Sequence, residues 1–176
     1  MKSIIDLFLI WWLRTGRYSW SRIRRKLFER GYLKNPLPIV TSPEDIEARL
    51  RQVKWTMDGP LHLFDSISYP EVTWTKKKDD CDGFATLAAA LLNQINKDYS
   101  PALVTVMMRP IRSSHTVCAF KTPLGGLWIF DNDSLRRVEC RKYAEIAILI
   151  SQQAERLVCW DVRNPATLDM IEFHKI

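Results

Sequence analysis

The chain has 176 residues, of which 47% are hydrophobic and 26% are charged, and its formal net charge is +6. This length suits a single domain with one buried core, and this composition excludes a disordered chain. The four cysteines form no CxxC pair and no zinc-binding spacing with the three histidines. We therefore predict reduced thiols in a cytoplasmic protein, with no disulfide framework, no metal and no cofactor.

Two short helices are predicted at the N-terminus. Residues 3–13 form an apolar run that is too short to span a bilayer, and they lack the flanking residues of a signal peptide. Gly16 is expected to break this helix. A second helix, capped by Ser19 or Ser21, is expected to end before Gly31.

The positive charge is concentrated in residues 14–34, which contain the single acid Glu29 and eight basic residues: Arg14, Arg17, Arg22, Arg24, Arg25, Lys26, Arg30 and Lys34. This stretch carries +7, so the rest of the chain carries −1. Together with its tryptophans, it suits an anionic partner: a membrane surface, nucleic acid or an acidic protein. A helix packed on the domain with a solvated basic face is the alternative.

Pro36 and Pro38 mark a linker, so we predict a basic, aromatic arm at residues 1–38 and a main domain at residues 39–176. In the main domain, a helix begins at Thr41-Ser42-Pro43 and should run to about Met57 with a buried stripe of Ile46, Leu50, Val53 and Met57. The further predicted elements are a loop at 61–78, a buried helix at 81–95, strands at 102–108, 115–121 and 127–132, a helix at 143–156 and a strand at 157–162. A buried helix followed by antiparallel strands predicts an α+β fold.

Cys81 begins the alanine- and leucine-rich helix, where unpaired backbone N–H groups and the positive end of the helix dipole stabilise a thiolate. A nucleophilic cysteine suits this position, although a small buried residue at a helix start is the simpler interpretation of a lone cysteine.

The hairpin adds an acid and a base. Pro123-Leu124-Gly125-Gly126 joins the second and third strands, which places His115 opposite, or diagonally across from, Asp131. Asp133 shares that face. A carboxylate there would accept a hydrogen bond from one ring nitrogen and leave the other for a thiol. We expect His62 and His174 to be surface or packing residues.

Three blocks resemble the core of the transglutaminase-like superfamily, whose fold is that of papain-like cysteine proteases: Cys81 followed by Asp-Gly-Phe-Ala-Thr-Leu, the strand His115-Thr-Val-Cys-Ala-Phe, and Leu-Trp-Ile-Phe-Asp131. The resemblance covers about residues 42–133. It implies a helix with Cys81 packed on a sheet with His115 and Asp131. The family often has glycine two residues before its cysteine, where this chain has Asp79.

The resemblance implies acyl transfer through a Cys81, His115 and Asp131 triad. Trp74 and Trp55 are candidates for an upstream donor to the oxyanion, although core aromatics are the simpler interpretation. We expect a cysteine peptidase or amidase acting on a peptide or other amide. The alternatives are a crosslinking transamidase of the same fold, and a non-catalytic binding or assembly protein that uses the basic arm. The sequence does not predict the oligomeric state.

Overall fold

The computed structural model of the chain describes residues 3–57, 66–122 and 125–176. Its helical elements are α1 (Ile4–Trp11), a π-helical turn (Trp12–Gly16), α2 (Arg17–Arg24), a second π-helical turn (Arg25–Glu29), α3 (Pro43–Leu50), α4 (Pro70–Lys76), α5 (Cys81–Ile95), α6 (Tyr143–Ser151), and 3-10 turns at Arg30–Lys34, Lys97–Tyr99 and Ile111–Ser113. Its strands are β1 (Lys54–Trp55), β2 (Lys78–Asp79), β3 (Ala102–Arg109), β4 (His115–Lys121), β5 (Leu127–Asp131), β6 (Ser134–Val138), β7 (Arg156–Arg163) and β8 (Met170–Lys175). The predicted α+β class is confirmed.

Strands β3 to β8 form one six-stranded antiparallel sheet in the order β6-β5-β4-β3-β7-β8. One face of the sheet shares an apolar cluster with α5 and the N-terminal helices, and the other face shares a cluster with α6. Helix α5 is apolar over most of its surface because it packs against β4 and β5 on one side and against α3 and α4 on others.

The N-terminal helix runs without a break from Ile4 to Glu29, so the helix end expected at Gly16 is wrong. Six of its buried residues recur at every fourth position: Leu9, Leu13, Arg17, Ser21, Arg25 and Glu29. Asp6, Trp12 and Tyr18 are buried beside them. In an α-helix a four-residue repeat drifts by about 40° at each step. Each π-helical turn takes up one extra residue and offsets about 100° of that drift. The two π-helical turns therefore keep the whole repeat on one side.

Polar contacts hold this buried side to β7. The Tyr18 hydroxyl donates to Asp161 Oδ1 over 2.9 Å, and Arg163 Nη2 donates to the carbonyl oxygens of Leu13 and Arg14 over 3.3 and 3.0 Å. Both carbonyls belong to the first π-helical turn, where the wider backbone spacing changes the internal pairing. The N-terminal helix is thus packed on the main sheet, while the boundary at residue 39 stays a prediction.

Helix α3 ends at Leu50 rather than near Met57, and Met57 is half exposed instead of buried. The chain leaves the helix because residues 54–55 pair in parallel with residues 78–79. The segment predicted as a loop contains α4 at Pro70–Lys76. Backbone pairing with residues 78–79 therefore overrides the local helix propensity of the residues after α3.

Three further differences lie in the second half of the chain. Strands β6 and β8, which extend the two edges of the sheet, are absent from the sequence prediction, and α6 ends at Ser151 rather than at residue 156. Within the described part of the chain, no helix combines the length and the apolar character that a bilayer crossing requires.

Candidate active site

Cys81 is the first residue of α5, as the sequence predicts, and it is 9% exposed. Asp80 is the N-cap residue, and its carboxylate accepts a hydrogen bond from the backbone N–H of Asp82 over 3.2 Å. This cap satisfies one of the donors that a helix start leaves unpaired. The sulfur therefore lies at the positively polarised end of a buried, capped helix.

His115 begins β4 and Asp131 ends the neighbouring strand β5. Cys118 pairs with Phe130, so continuing the register puts Asp131 opposite Val117, two residues from His115 and on the same face. The His115 Nε2 and Asp131 Oδ1 atoms lie 2.7 Å apart. His115 and Asp131 are therefore diagonal neighbours across the hairpin, which is one of the two arrangements that the sequence predicts.

The imidazole also lies near the cysteine. Cys81 and His115 line one cavity of about 20 Å³, which has room for about one water molecule, and interaction with Cys81 is one of the causes that raise the pKa of His115. Because Nε2 faces Asp131, the ring nitrogen that remains for the sulfur is Nδ1. The structure thus brings Cys81, His115 and Asp131 into one chain of contacts.

Interactions with Asp131 and Cys81 favour the protonated form of the His115 imidazole. Burial opposes the positive charge, but hydrogen bonds to Asp131 and Cys81 and the negative charges of both outweigh it and raise the pKa of His115 to about 10. The hydrogen bond from His115 holds the pKa of Asp131 below its usual value against the opposing effect of burial. Arg136 adds to this effect, with Nη1 at 2.9 Å from Asp131 Oδ2. With a pKa of about 10, the His115 imidazole carries a positive charge at neutral pH.

No protein-family model matches the sequence, and no curated protein matches it either. The functional interpretation therefore depends on the geometry of these three side chains and on the chemistry that such a geometry performs.

Among the described residues that line the cavity, neither of the two predicted oxyanion tryptophans is found. Trp74 lies in α4 with Lys77 Nζ 2.6 Å from its ring centroid, and Trp55 is about half exposed on β1. Trp12 of the N-terminal helix lines the cavity instead, together with Leu9. Trp12 could not be predicted from the sequence, because an apolar arm with several tryptophans offers no signal that selects one of them.

Arg17 is a second residue that the sequence analysis missed. Its Nη2 lies 2.5 Å from Asp82 Oδ2, both side chains are almost fully buried, and Arg17 lines the cysteine cavity. Because Asp82 directly follows Cys81, the ion pair places a buried cation at the start of α5. In the sequence, Arg17 is one of eight basic residues of the arm, and the helical phase that buries it depends on the π-helical turns.

The acidic residues around Cys81 are engaged by the protein. Carboxylate oxygens of Asp79, Asp80 and Asp82 lie within 4.8 Å of one another. Asp79 accepts hydrogen bonds from the Thr73 hydroxyl over 2.5 Å and from the Asp80 N–H over 3.0 Å, and its carboxyl packs directly against Gly83. Asp79, which stands where the resemblance leads one to expect glycine, is therefore fixed by Thr73. The expectation that no metal binds here stays a prediction.

His115 also lines an open cleft of about 450 Å³ on its other side. Asp131 and Arg136 line that cleft too, as do Gln152 and Gln153, which follow α6. Its volume is within the range of small-ligand and peptide sites. The imidazole thus separates a small cavity with the thiol from a polar cleft of substrate size.

The two other histidines lie elsewhere. His174, on the edge strand β8, stacks on Trp160 with ring centroids 4.3 Å apart. His62 falls outside the described residues. Of the described histidines, only His115 contacts an aspartate and a cysteine together.

Proposed function

We propose that this protein is a thiol-dependent acyl-transfer enzyme of the transglutaminase-like, papain-like kind, which hydrolyses an amide bond as a cysteine peptidase or amidase. The observation that carries the proposal is the position of His115, whose ring joins Asp131 at 2.7 Å on one side and Cys81 on the other. A base between a nucleophile and an orienting acid is the arrangement that covalent acyl transfer requires.

In the proposed reaction, the Cys81 thiolate attacks the carbonyl carbon of a peptide or other amide. As the C–N bond breaks, the His115 imidazolium gives its proton to the leaving amine, and a thioester remains on the sulfur. Water then attacks the thioester while His115 accepts its proton. The carboxylic acid leaves, and the thiolate and imidazolium are restored.

Asp131 serves this cycle by fixing the ring and its charge. Its hydrogen bond to Nε2 leaves Nδ1 directed at the reacting atoms, and its negative charge stabilises the imidazolium. The developing oxyanion would lie near the first turn of α5, where the backbone N–H of Cys81 is the proposed donor.

The test is the rate at which iodoacetamide labels each cysteine of the folded protein between about pH 6 and pH 9, measured by peptide mass spectrometry. We expect Cys81 to react faster than Cys118 and Cys159, which are buried in the core. Burial also raises the pKa of Cys118. His115→Ala should slow the labelling of Cys81 at pH 7 by at least about tenfold, because the thiolate loses its counter-charge.

His174→Ala is the matched control, since His174 stacks on Trp160 and does not line the cysteine cavity. Equal labelling of all four cysteines in the wild type, or equal rates in His115→Ala and the wild type, would refute the proposed triad. A reactive Cys81 should also form a thioester with an activated acyl ester, which intact-mass measurement detects and hydroxylamine reverses.

A further inference from the structure

The side of the N-terminal helix that faces away from the sheet has exposed apolar side chains toward both of its ends, with Thr15 and Ser19 between them. The buried series recurs at every fourth position from Leu9. Taking every fourth residue from Leu7 instead gives an outer series in which all six side chains are exposed: Leu7, Trp11, Thr15, Ser19, Ile23 and Leu27. Since each residue rotates the helix by about 100°, this series lies nearly opposite the buried series. The π-helical turns that keep the buried residues together also keep this outer series together.

Further exposed apolar side chains widen this outer face. Ile4, Phe8, Trp20 and Phe28 lie beside the outer series, and Ile4 and Phe28 are 86% and 70% exposed. Large apolar side chains that are contiguous on a surface mark an interaction site rather than ordinary surface composition. The buried face already packs on the sheet, so the outer face is a second and separate apolar surface of the same helix.

A basic edge borders the outer face. Every fourth residue between the buried and the outer series, from Arg14 onward, gives Arg14, Tyr18, Arg22, Lys26 and Arg30, of which Tyr18 is buried and the four basic residues are exposed. Of these, Arg22 donates to Asp169 over 2.8 Å, and Arg14 lies over the Phe173 ring. Lys26 and Arg30 extend the positive charge toward the end of the helix.

We propose that this outer face, with its basic edge, binds the surface of an anionic lipid membrane. The helix would lie in the plane of the interface, with the side chains of Leu7, Trp11, Ile23 and Leu27 below the headgroups and the basic edge among the lipid phosphates. Apolar side chains with tryptophan, next to lysine and arginine along one helix, are what an interfacial helix needs.

Charge decides against the two other occupants. A second copy of the chain placed on the outer face would bring like-charged basic edges close together. A nucleic acid would pair with the basic edge but would leave the leucine and isoleucine side chains in water, since phosphate contacts dominate its affinity. An anionic bilayer satisfies the apolar face and the basic edge together.

Membrane binding would place the cysteine cavity close to the bilayer. The same helix contributes Leu9, Trp12 and Arg17 to the cavity, and the diameter of a helix is about 10 Å. The binding proposal does not depend on the proposed catalysis, because the vesicle assay below contains no reaction.

The test is sedimentation of the full-length protein with vesicles of phosphatidylcholine containing phosphatidylserine, and with vesicles of phosphatidylcholine alone. We expect binding to the anionic vesicles that weakens as salt rises, with a shift of tryptophan emission to shorter wavelength. Ile23→Asp/Leu27→Asp should weaken binding by at least about tenfold. Lys26→Gln/Arg30→Gln should weaken it by about 30-fold at low salt.

Matched controls are Ile148→Asp, an exposed position on α6 at the opposite face of the sheet, and Lys121→Gln/Lys142→Gln, both exposed. Both controls should bind like the wild type, and circular dichroism should show every variant folded. The proposal is overturned by equal binding to neutral vesicles, by tighter binding to duplex DNA than to anionic vesicles, or by a self-association in solution that Ile23→Asp/Leu27→Asp abolishes.

Discussion

Asp131→Asn is the substitution that most directly tests the electrostatics of the site. It keeps the size of the side chain and an oxygen that can accept a hydrogen bond, but it removes the negative charge beside His115. The structure predicts that the pKa of His115 falls well below its value of about 10, because that value depends on the hydrogen bond and charge of Asp131 as well as on Cys81.

The magnitude follows from the pKa values. The difference between about 10 and the ordinary 6.5, at 1.36 kcal/mol for each pH unit, corresponds to on the order of 5 kcal/mol in favour of the charged ring. An opposite charge in direct contact accounts for about 1 to 3 pH units of such a shift, or about 1 to 4 kcal/mol. Cys81 supplies much of the remainder, so Cys81→Ala should also lower the pKa of His115.

The sign of the effect on stability follows from the raised pKa. Protonation of His115 stabilises the fold fully below about pH 6.5, and this stabilisation is lost as the pH rises through about 10. In Asp131→Asn the loss should still begin near pH 6.5, where the histidine of the unfolded chain releases its proton, but it should be complete at a pH lower by about 1 to 3 pH units and be smaller by about 1 to 4 kcal/mol. Urea unfolding between about pH 6 and pH 10 measures this loss.

NMR titration of the His115 ring measures its pKa directly, and Asp133→Asn, in the two-residue turn that follows Asp131, is the matched control. An unchanged pKa in Asp131→Asn, or an equal decrease in Asp133→Asn, would refute the argument that Asp131 is the orienting acid.

Two further predictions concern the start of α5. Arg17→Met should lower the free energy of unfolding by about 3 to 5 kcal/mol, because it leaves Asp82 charged and buried without its partner; Arg17→Met/Asp82→Asn should recover part of that loss in urea unfolding, and no recovery would argue against the ion pair. Gly83→Ala should lower the free energy of unfolding by about 1 to 3 kcal/mol, because a Cβ would overlap the Asp79 carboxyl. Asp79→Gly in the same chain should relieve this overlap, and equal destabilisation with and without it would contradict the packing argument.

The parts of the fold that the sequence predicts best have a strong periodic pattern. Helix α5 and strand β4 begin and end where predicted, because a helix that is buried nearly all round and an apolar strand leave few alternatives. The Ser42-Pro43 start of α3 also holds, since capping is a local interaction between neighbouring residues. The end of α3 was predicted wrongly because it depends on pairing with residues 78–79, which no local pattern reveals.

Strand β6 illustrates a signal that was present but overlooked. Asp131 pairs with Ser134, so Asn132-Asp133 form a two-residue hairpin loop, and Asn132 adopts a positive φ of 52°. Asparagine is favoured at such a position, and this dipeptide is a recognisable turn signal. The strand after the turn brings Arg136 back to Asp131, which explains why the sequence analysis placed the acid and missed its cation.

The N-terminal helix could not be interpreted from composition, because some of its six basic residues are buried and others are exposed. In a pure α-helix, the four-residue repeat that includes Arg17 and Arg25 would wind around the helix, and no single side would be buried throughout. Two π-helical turns remove that drift, so Arg17 and Arg25 lie inside the protein while Lys26, the neighbour of Arg25, lies outside. The π-helical turns set which side of the helix each residue occupies, so they direct Arg17 to the cysteine cavity and Leu27 outward. A substitution that straightened either π-helical turn would therefore displace residues of the cysteine cavity and the proposed membrane face at once.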